Sequence, residues 1–355
     1  MMKTLIRIVL MVGVALPPLV AAHHGTVTNP TLYIIEELVE IEGEVVEVFW
    51  RNPHVRFRLD DGSRIWELEM GPQPGLFRRL GVSQDSFSEG GQIRVAGYVS
   101  RRNESSLGVT NLLLPSDEEF VEGGQTARWE NKQQIDIGYR PPSSQDADPA
   151  AVETARATSE GIFKVWAGVG GHRPFGMPGS PNADYSHERL LTEHAREMVA
   201  QYNHVDNPEL DCRTGMPSPM FDPVPMQIID DGDRILIRVE EYDVERVVHM
   251  DTDGIEAPES IAASPLGFSV GHWEGDSLVV STTHVDWPLF NNGTGTPQSD
   301  QVIYGESFEV IEGDVLRYTF SATDPLMFIE PVVVEMLRGW TPGVAIEPFD
   351  CVADW

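Results

Sequence analysis

The chain has 355 residues, of which 56 are acidic and 25 basic, giving a formal charge of −31 with the histidines neutral. Binding to a polyanion relies on clustered Lys and Arg that release counterions from phosphates, so this balance argues against nucleic acid and anionic membrane surfaces as partners. At 41% hydrophobic and 23% charged residues, the chain suits a soluble globular protein with a sizeable core, long enough for two domains. Lysine is confined to Lys3, Lys132 and Lys164, which leaves solubility to Asp and Glu, a skew that resembles proteins of saline habitats.

Residues 1–22 read as a secretory signal peptide. Met1 to Arg7 is a short basic start, Ile8 to Val20 is an apolar run too short to span a bilayer comfortably, and Val20-Ala21-Ala22 offers small residues at a cleavage point. Its removal takes two of the 25 basic side chains and none of the 56 acidic ones, so the charge deepens from −31 to −33. No later segment is apolar enough to insert into a membrane, and no cysteine at the cleavage point offers a site for lipid. The expected product is periplasmic or secreted.

From residue 23 to 115 the pattern predicts a small β-barrel domain. Ile41 to Trp50 alternates apolar and polar residues, His54 to Leu59 repeats this before an Asp60-Asp61-Gly62 turn, and Arg64 to Met70 follows. A helical piece at Pro74 to Leu80 precedes strands at Gln92 to Ser100 and Val109 to Leu114. Five short strands with one interposed helix suggest an OB-like barrel, with a sandwich as the alternative. Residues 116–160, rich in Gly, Gln, Pro and Ser, read as a linker.

Residues 161–355 predict an antiparallel β domain with one helix, His187 to Tyr202. Asp231 to Glu240, Glu274 to Thr283 and Glu312 to Phe320 each place a Gly-Asp turn before a strand. Three hairpins on one template imply a meander, closed as a lipocalin-like barrel or open as a curled sheet. The fold class expected is therefore mainly β. Cys212 and Cys351 lie in the exported part, where oxidising conditions favour a disulfide over the alternative of two buried thiols. Closing so long a loop would restrict the unfolded chain by about 4–5 kcal/mol in the entropy model.

Five features together resemble a family of exported bacterial proteins with no assigned activity. They are Ala22-His23-His24, Trp50-x-Asn52-Pro53-His54, Arg246-x-x-His249-x-Asp251, Trp273-Glu274-Gly275-Asp276 and the late Cys351. The resemblance extends over nearly the whole mature chain and implies export and a β-rich two-domain build. Members often carry His where this chain has Gln298 in Thr296-Pro297-Gln298-Ser299, so an essential histidine there is not supported.

Three groups of residues are candidates for chemistry. Cleavage after Ala22 would give His23 a free α-amine beside its imidazole, a bidentate chelate for a borderline metal such as copper, with His24 and His54 as further donors. The alternative is a solvated terminus and a His54 that only hydrogen-bonds within its turn. In Leu278 to Asp286, strand alternation would put His284 and Asp286 on one face as an imidazole oriented by a carboxylate, with His249 and His272 converging as catalytic partners for isomerisation, hydration or elimination. The competing reading is that each is an ordinary structural or surface histidine. Trp273, Trp287, Tyr304, Tyr318 and Phe320, near Phe290, Phe308 and Phe328, are enough aromatics to line a pocket for a small apolar ligand, or else to fill a core.

No P-loop, Rossmann fingerprint, Gly-x-Ser-x-Gly elbow or His-Glu-x-x-His occurs. The expectation is an exported protein binding a small, largely apolar ligand in its C-terminal β domain, with copper at the mature N-terminus. The alternative is an acid–base enzyme of isomerase, hydratase or lyase type.

Overall fold

A computed structural model describes residues 33–101, 103–122, 125–138, 142–169, 187–203, 206–250, 261–312 and 314–353. The segment read as a signal peptide, and with it His23 and His24, lies outside the described residues, as does Asp251.

The chain begins with β1 (Tyr33–Phe49), whose Ile41 and Val45 face inward while Glu42 and Glu44 face solvent. It is followed by β2 (Arg56–Asp60), β3 (Ile65–Met70), helix α1 (Pro74–Arg79), β4 (Gln92–Ser100) and β5 (Ser106–Leu113). β1 pairs with both β2 and β4, β2 with β3, and β4 with β5. Because β3 also pairs in parallel with β5, the pairing closes on itself in the order 1-2-3-5-4. That ring, with α1 between β3 and β4, is the OB topology expected from the alternation. Its core is aromatic, with Phe87 packed 4.9 Å from Phe57 and 5.8 Å from Phe77 between ring centroids. Closure needs a bulge at Ala96/Gly97, where a Cβ on Gly97 would stand 2.0 Å from the Gly108 carbonyl oxygen.

The stretch read as a linker carries structure of its own. β6 (Glu118–Val121) pairs with β5, and β7 (Gln133–Asp136) pairs in parallel with β6, extending the first sheet to seven strands. Two side chains explain why so polar a stretch is held: Phe120 enters the aromatic core, and the fully buried Glu119 accepts hydrogen bonds from Asn111, Asn131 and the Arg128 amide. Helix α2 (Pro149–Thr158) follows, capped by Asp148.

The rest of the chain forms a closed nine-stranded barrel of β8 (Val165–Gly168), β9 (Met226–Asp230), β10 (Arg234–Val239), β11 (Val244–Met250), β12 (Phe268–Glu274), β13 (Ser277–Thr283), β16 (Ile303–Glu312), β17 (Val315–Thr323) and β18 (Val332–Trp340). A small hairpin, β14 (Leu289–Asn291) and β15 (Thr296–Pro297), lies outside the ring. All pairs in the ring are antiparallel except β11 with β12. These two strands run in the same direction, so a tight hairpin cannot join them. The helix expected over 187–202 is shorter: His187–Leu190 is a 3₁₀ turn, and α3 (Glu193–Gln201) begins only after Thr192, whose hydroxyl caps the Ala195 amide. Helix α4 (Ser218–Phe221) packs Phe221 against Phe320 of the barrel at 4.9 Å.

Cys212 and Cys351 are disulfide-bonded, with Cα atoms 5.8 Å apart across 139 residues of sequence. The bond fixes a C-terminal tail that touches both halves. Asn52 donates to the Phe349 carbonyl and accepts from the Val352 amide at 3.2 Å, Arg56 reaches the Val352 carbonyl at 3.3 Å, and Arg78 meets Glu347 at 2.6 Å. On its other side Phe349 is buried against Tyr242, 5.1 Å between rings, with its amide on Asp243.

Candidate functional site

The interior of the nine-stranded barrel is largely apolar, with Arg338 of β18 buried on the carbonyls of Met220, Asp222 and Val224 and one further polar layer. Five neighbouring strands each aim a polar side chain inward: Arg246 of β11, Ser269 of β12, Thr282 of β13, Glu306 of β16 and Tyr318 of β17. Arg246 holds Glu306 bidentately, through Nη1 to Oε1 at 2.8 Å and Nη2 to Oε2, and also donates to Ser269 Oγ at 2.9 Å and Thr282 Oγ1 at 2.6 Å. The Tyr318 hydroxyl donates to Glu306 Oε1 at 2.7 Å. Burial works against the Arg246 charge, but the Glu306 carboxylate outweighs it and holds the guanidinium above its ordinary value. Burial first, and then the Glu306 charge, push Tyr318 well above the ordinary phenol value, so it serves as a hydrogen-bond donor.

Above this layer the barrel is stoppered by α4 and the β14–β15 hairpin, and two polar atoms there lack partners. Gln298 pins the segments together, donating to the carbonyls of Met216 and Trp287 at 2.8 Å each and accepting from the Tyr304 hydroxyl. Asn292 donates to Ser218 Oγ at 3.2 Å, and Ser218 in turn donates to Glu209 at 2.7 Å. Trp287 Nε1, a donor, and Asn292 Oδ1, an acceptor, make no hydrogen bond among the described residues, although their side chains are only 6% and 3% exposed. Such orphans are uncommon in folded proteins and mark places that need a further explanation.

The aromatic residues expected to line a pocket divide accordingly. Tyr304, Tyr318 and Phe320 are fully buried and stack on one another and on Phe308, with Tyr304–Phe320 at 5.0 Å and Phe308–Tyr318 at 4.8 Å. They fill the barrel. Trp287 caps its stoppered end, whereas Trp273, 45% exposed and edge-on to Phe163 at 6.1 Å, sits at the opposite end.

The four residues proposed for acid–base chemistry are not brought together. Alternation does place Leu278, Val280 and Thr282 inward, but it ends at His284, whose backbone turns to φ +58°. The ring of His284 contacts Thr283 Oγ1 at 2.9 Å, and Asp286 is exposed beyond it. His249 lies on the outer face of β11, stacked on Phe268 at 4.7 Å, and His272 on the outer face of β12 contacts Glu274 at 3.1 Å. These placements follow from strand register: inward positions on β11 and β12 belong to Arg246, Val248, Ser269 and Gly271.

His54 is the described member of the expected copper group. Its Nδ1 lies 2.7 Å from the Gly71 carbonyl oxygen, and its Nε2 points to Glu69 Oε1 at 3.8 Å. Glu69 Oε2 accepts from the Tyr33 hydroxyl at 3.4 Å. Among the described residues, no group of three or more His, Cys, Asp and Glu side chains is placed to hold a metal ion.

The sequence reading assigned no role to Glu306, Ser269, Thr282 or Asn292. A signal for the first was present: Tyr304, Glu306 and Phe308 share one face of a strand, and a carboxylate within an apolar register needs a buried cation. Arg246 carries the same signature between Val244 and Val248. No known protein-family model and no curated protein matches the chain.

Proposed function

We propose that this is an exported protein that binds a small, largely apolar molecule at the stoppered end of its C-terminal barrel. The observation that carries the reading is that Trp287 Nε1 and Asn292 Oδ1 are buried and unpartnered, with Trp287 in the same hydrophobic cluster as Phe290, Tyr304 and Phe320. A ligand with an apolar body, one acceptor and one donor would satisfy both atoms, in keeping with pockets whose few polar groups fix orientation. The Arg246–Glu306 layer beneath is already saturated and acts as a rigid floor. Export is supported by the basic, apolar and small-residue pattern of residues 1–22 and by the pairing of Cys212 with Cys351.

The test is organic extraction and mass spectrometry of the protein isolated from the periplasm of an expressing bacterium, beside a Trp287→Phe, Asn292→Leu variant. A small molecule present in near-stoichiometric amount in the parent and lost from the folded variant is the expected result. Equal content in both, or none in the parent, overturns it.

We propose in addition that the mature N-terminus binds copper through His23, His24 and His54. The supporting observation is that His54 has one ring nitrogen engaged by a backbone carbonyl and the other left without a hydrogen bond to its neighbouring carboxylate. Metal analysis of mature protein beside a form extended by one N-terminal residue tests it, and equal copper in both sinks the terminal chelate.

A further inference from the structure

We infer that Glu69 is a metal ligand, and that His54 Nε2 and Glu69 Oε1 form a two-donor seat for a borderline divalent cation at the end of the OB barrel. The inference deepens the copper reading above, yet it rests on described residues alone.

The tautomer of His54 is the starting point. A carbonyl oxygen only accepts, so the 2.7 Å contact with Gly71 requires the proton to be on Nδ1. With Nδ1 held by that carbonyl, Nε2 is the ring nitrogen turned toward Glu69, the orientation that backbone carbonyls impose on metal-bound histidines. Nε2 faces Glu69 Oε1 at 3.8 Å. The separation is too long for a hydrogen bond and leaves room for a cation between the two atoms. Nitrogen and carboxylate oxygen each bind a zinc- or copper-sized ion at about 2.0–2.2 Å, so a gap of this size corresponds to an angle of about 130° at the metal.

Both donors are held in place. Glu69 and Gly71 flank Met70, the last residue of β3, and the backbone pairs Met70 N to Val55 O, at 3.0 Å, and Val55 N to Pro72 O, at 3.3 Å, lock the His54 segment against them. Tyr33 holds the other Glu69 oxygen, leaving Oε1 for His54. Gly71 is tightly enclosed, since a Cβ there would lie 2.7 Å from the Glu122 carboxylate, which brings a second acidic group to the same corner. The side chains are 19% and 9% exposed, so the seat is largely shielded yet still within reach of solvent. With two fixed protein donors, the remaining coordination positions would fall to water or to amine and imidazole nitrogens from elsewhere.

The experiment is a Cu(II) titration by calorimetry of four folded forms: the mature protein, Glu69→Gln, Tyr33→Phe, and mature protein extended by one N-terminal residue. Loss of at least tenfold in affinity for Glu69→Gln, with metal-free melting unchanged, is expected, the usual scale for loss of a ligand or its support. Tyr33→Phe should lose less. Unchanged affinity in Glu69→Gln with loss in the extended form overturns this inference and leaves the terminal chelate standing, whereas the reverse pattern leaves the Glu69 seat standing without it. Should Glu69→Gln not fold, anomalous diffraction from crystals of the mature protein grown with equimolar copper decides: a peak within bonding distance of Nε2 and Oε1 supports the seat, and copper located elsewhere, or absent, overturns it.

Discussion

Arg246 Nη1 donates to Glu306 Oε1 at 2.8 Å across the barrel interior, joining residues 60 positions apart in sequence, with side chains 2% and 0% exposed. Removing one partner strands the other charge in an apolar core, which costs about 3–5 kcal/mol, whereas replacing both with apolar residues of similar volume restores most of the loss. Glu306→Gln should therefore lower the urea midpoint sharply, and Arg246→Met with Glu306→Leu should recover much of it. Equal destabilisation in the single and double variants would show that packing of the layer matters more than its charge balance.

The disulfide offers a second measurement. Closing a loop of 139 residues restricts the unfolded chain by about 4–5 kcal/mol. Cys212→Ala with Cys351→Ala should lower thermal stability by that order, and a reductant should do the same to the parent while leaving the variant unaffected. A parent melting curve insensitive to reduction would contradict this.

Acidity bears on the cluster near the tail. Burial, then the neighbouring Asp222 carboxylate, pushes Glu241 well above its ordinary value of 4.5. The native state thus retains a proton that the unfolded chain releases, so the contribution of Glu241 is complete below about 4.5 and is lost as pH rises toward its folded value. While that proton is retained the slope reaches about −1.4 kcal/mol per pH unit. Chemical denaturation across this window should show the decline in the parent and a flatter profile in Glu241→Gln. Parallel profiles would assign the slope to other groups.

His284 provides a test of backbone origin. Its φ of +58° is a left-handed conformation that glycine adopts freely and β-branched residues resist. His284→Gly is expected to fold with stability close to the parent, and His284→Val to lose about 1–2 kcal/mol. A costly glycine substitution with a harmless valine would mean that the imidazole, held to Thr283, matters more than the turn.

Much of the architecture was legible because alternation is a local property. Ile41 to Val45 and Leu278 to Thr282 report their faces directly, and the turns at Gly232 and Gly275 have the positive φ that their Gly-Asp sequences foretell. The parallel contact of β11 with β12 was not legible, since the period of a strand carries no record of its neighbour's direction. β6 and β7 were concealed by short length and by Glu119, whose burial depends on donors from four other positions. At the sites, a histidine is conspicuous in sequence but its direction is not: His249 and His272 fall on outward registers. Glu69 was obscured for a related reason, because Leu68, Glu69 and Met70 are buried in succession where alternation would expose the middle one.

The tail carries an implication for biosynthesis. Asn52, on a loop between the first two strands, finds its partners in Phe349 and Val352, almost at the opposite end of the polypeptide. N-terminal domains generally fold as they emerge, yet this one receives contacts from a residue translated 297 positions later. The seating of the two halves thereby waits until the segment around Cys351 has been made and its disulfide closed.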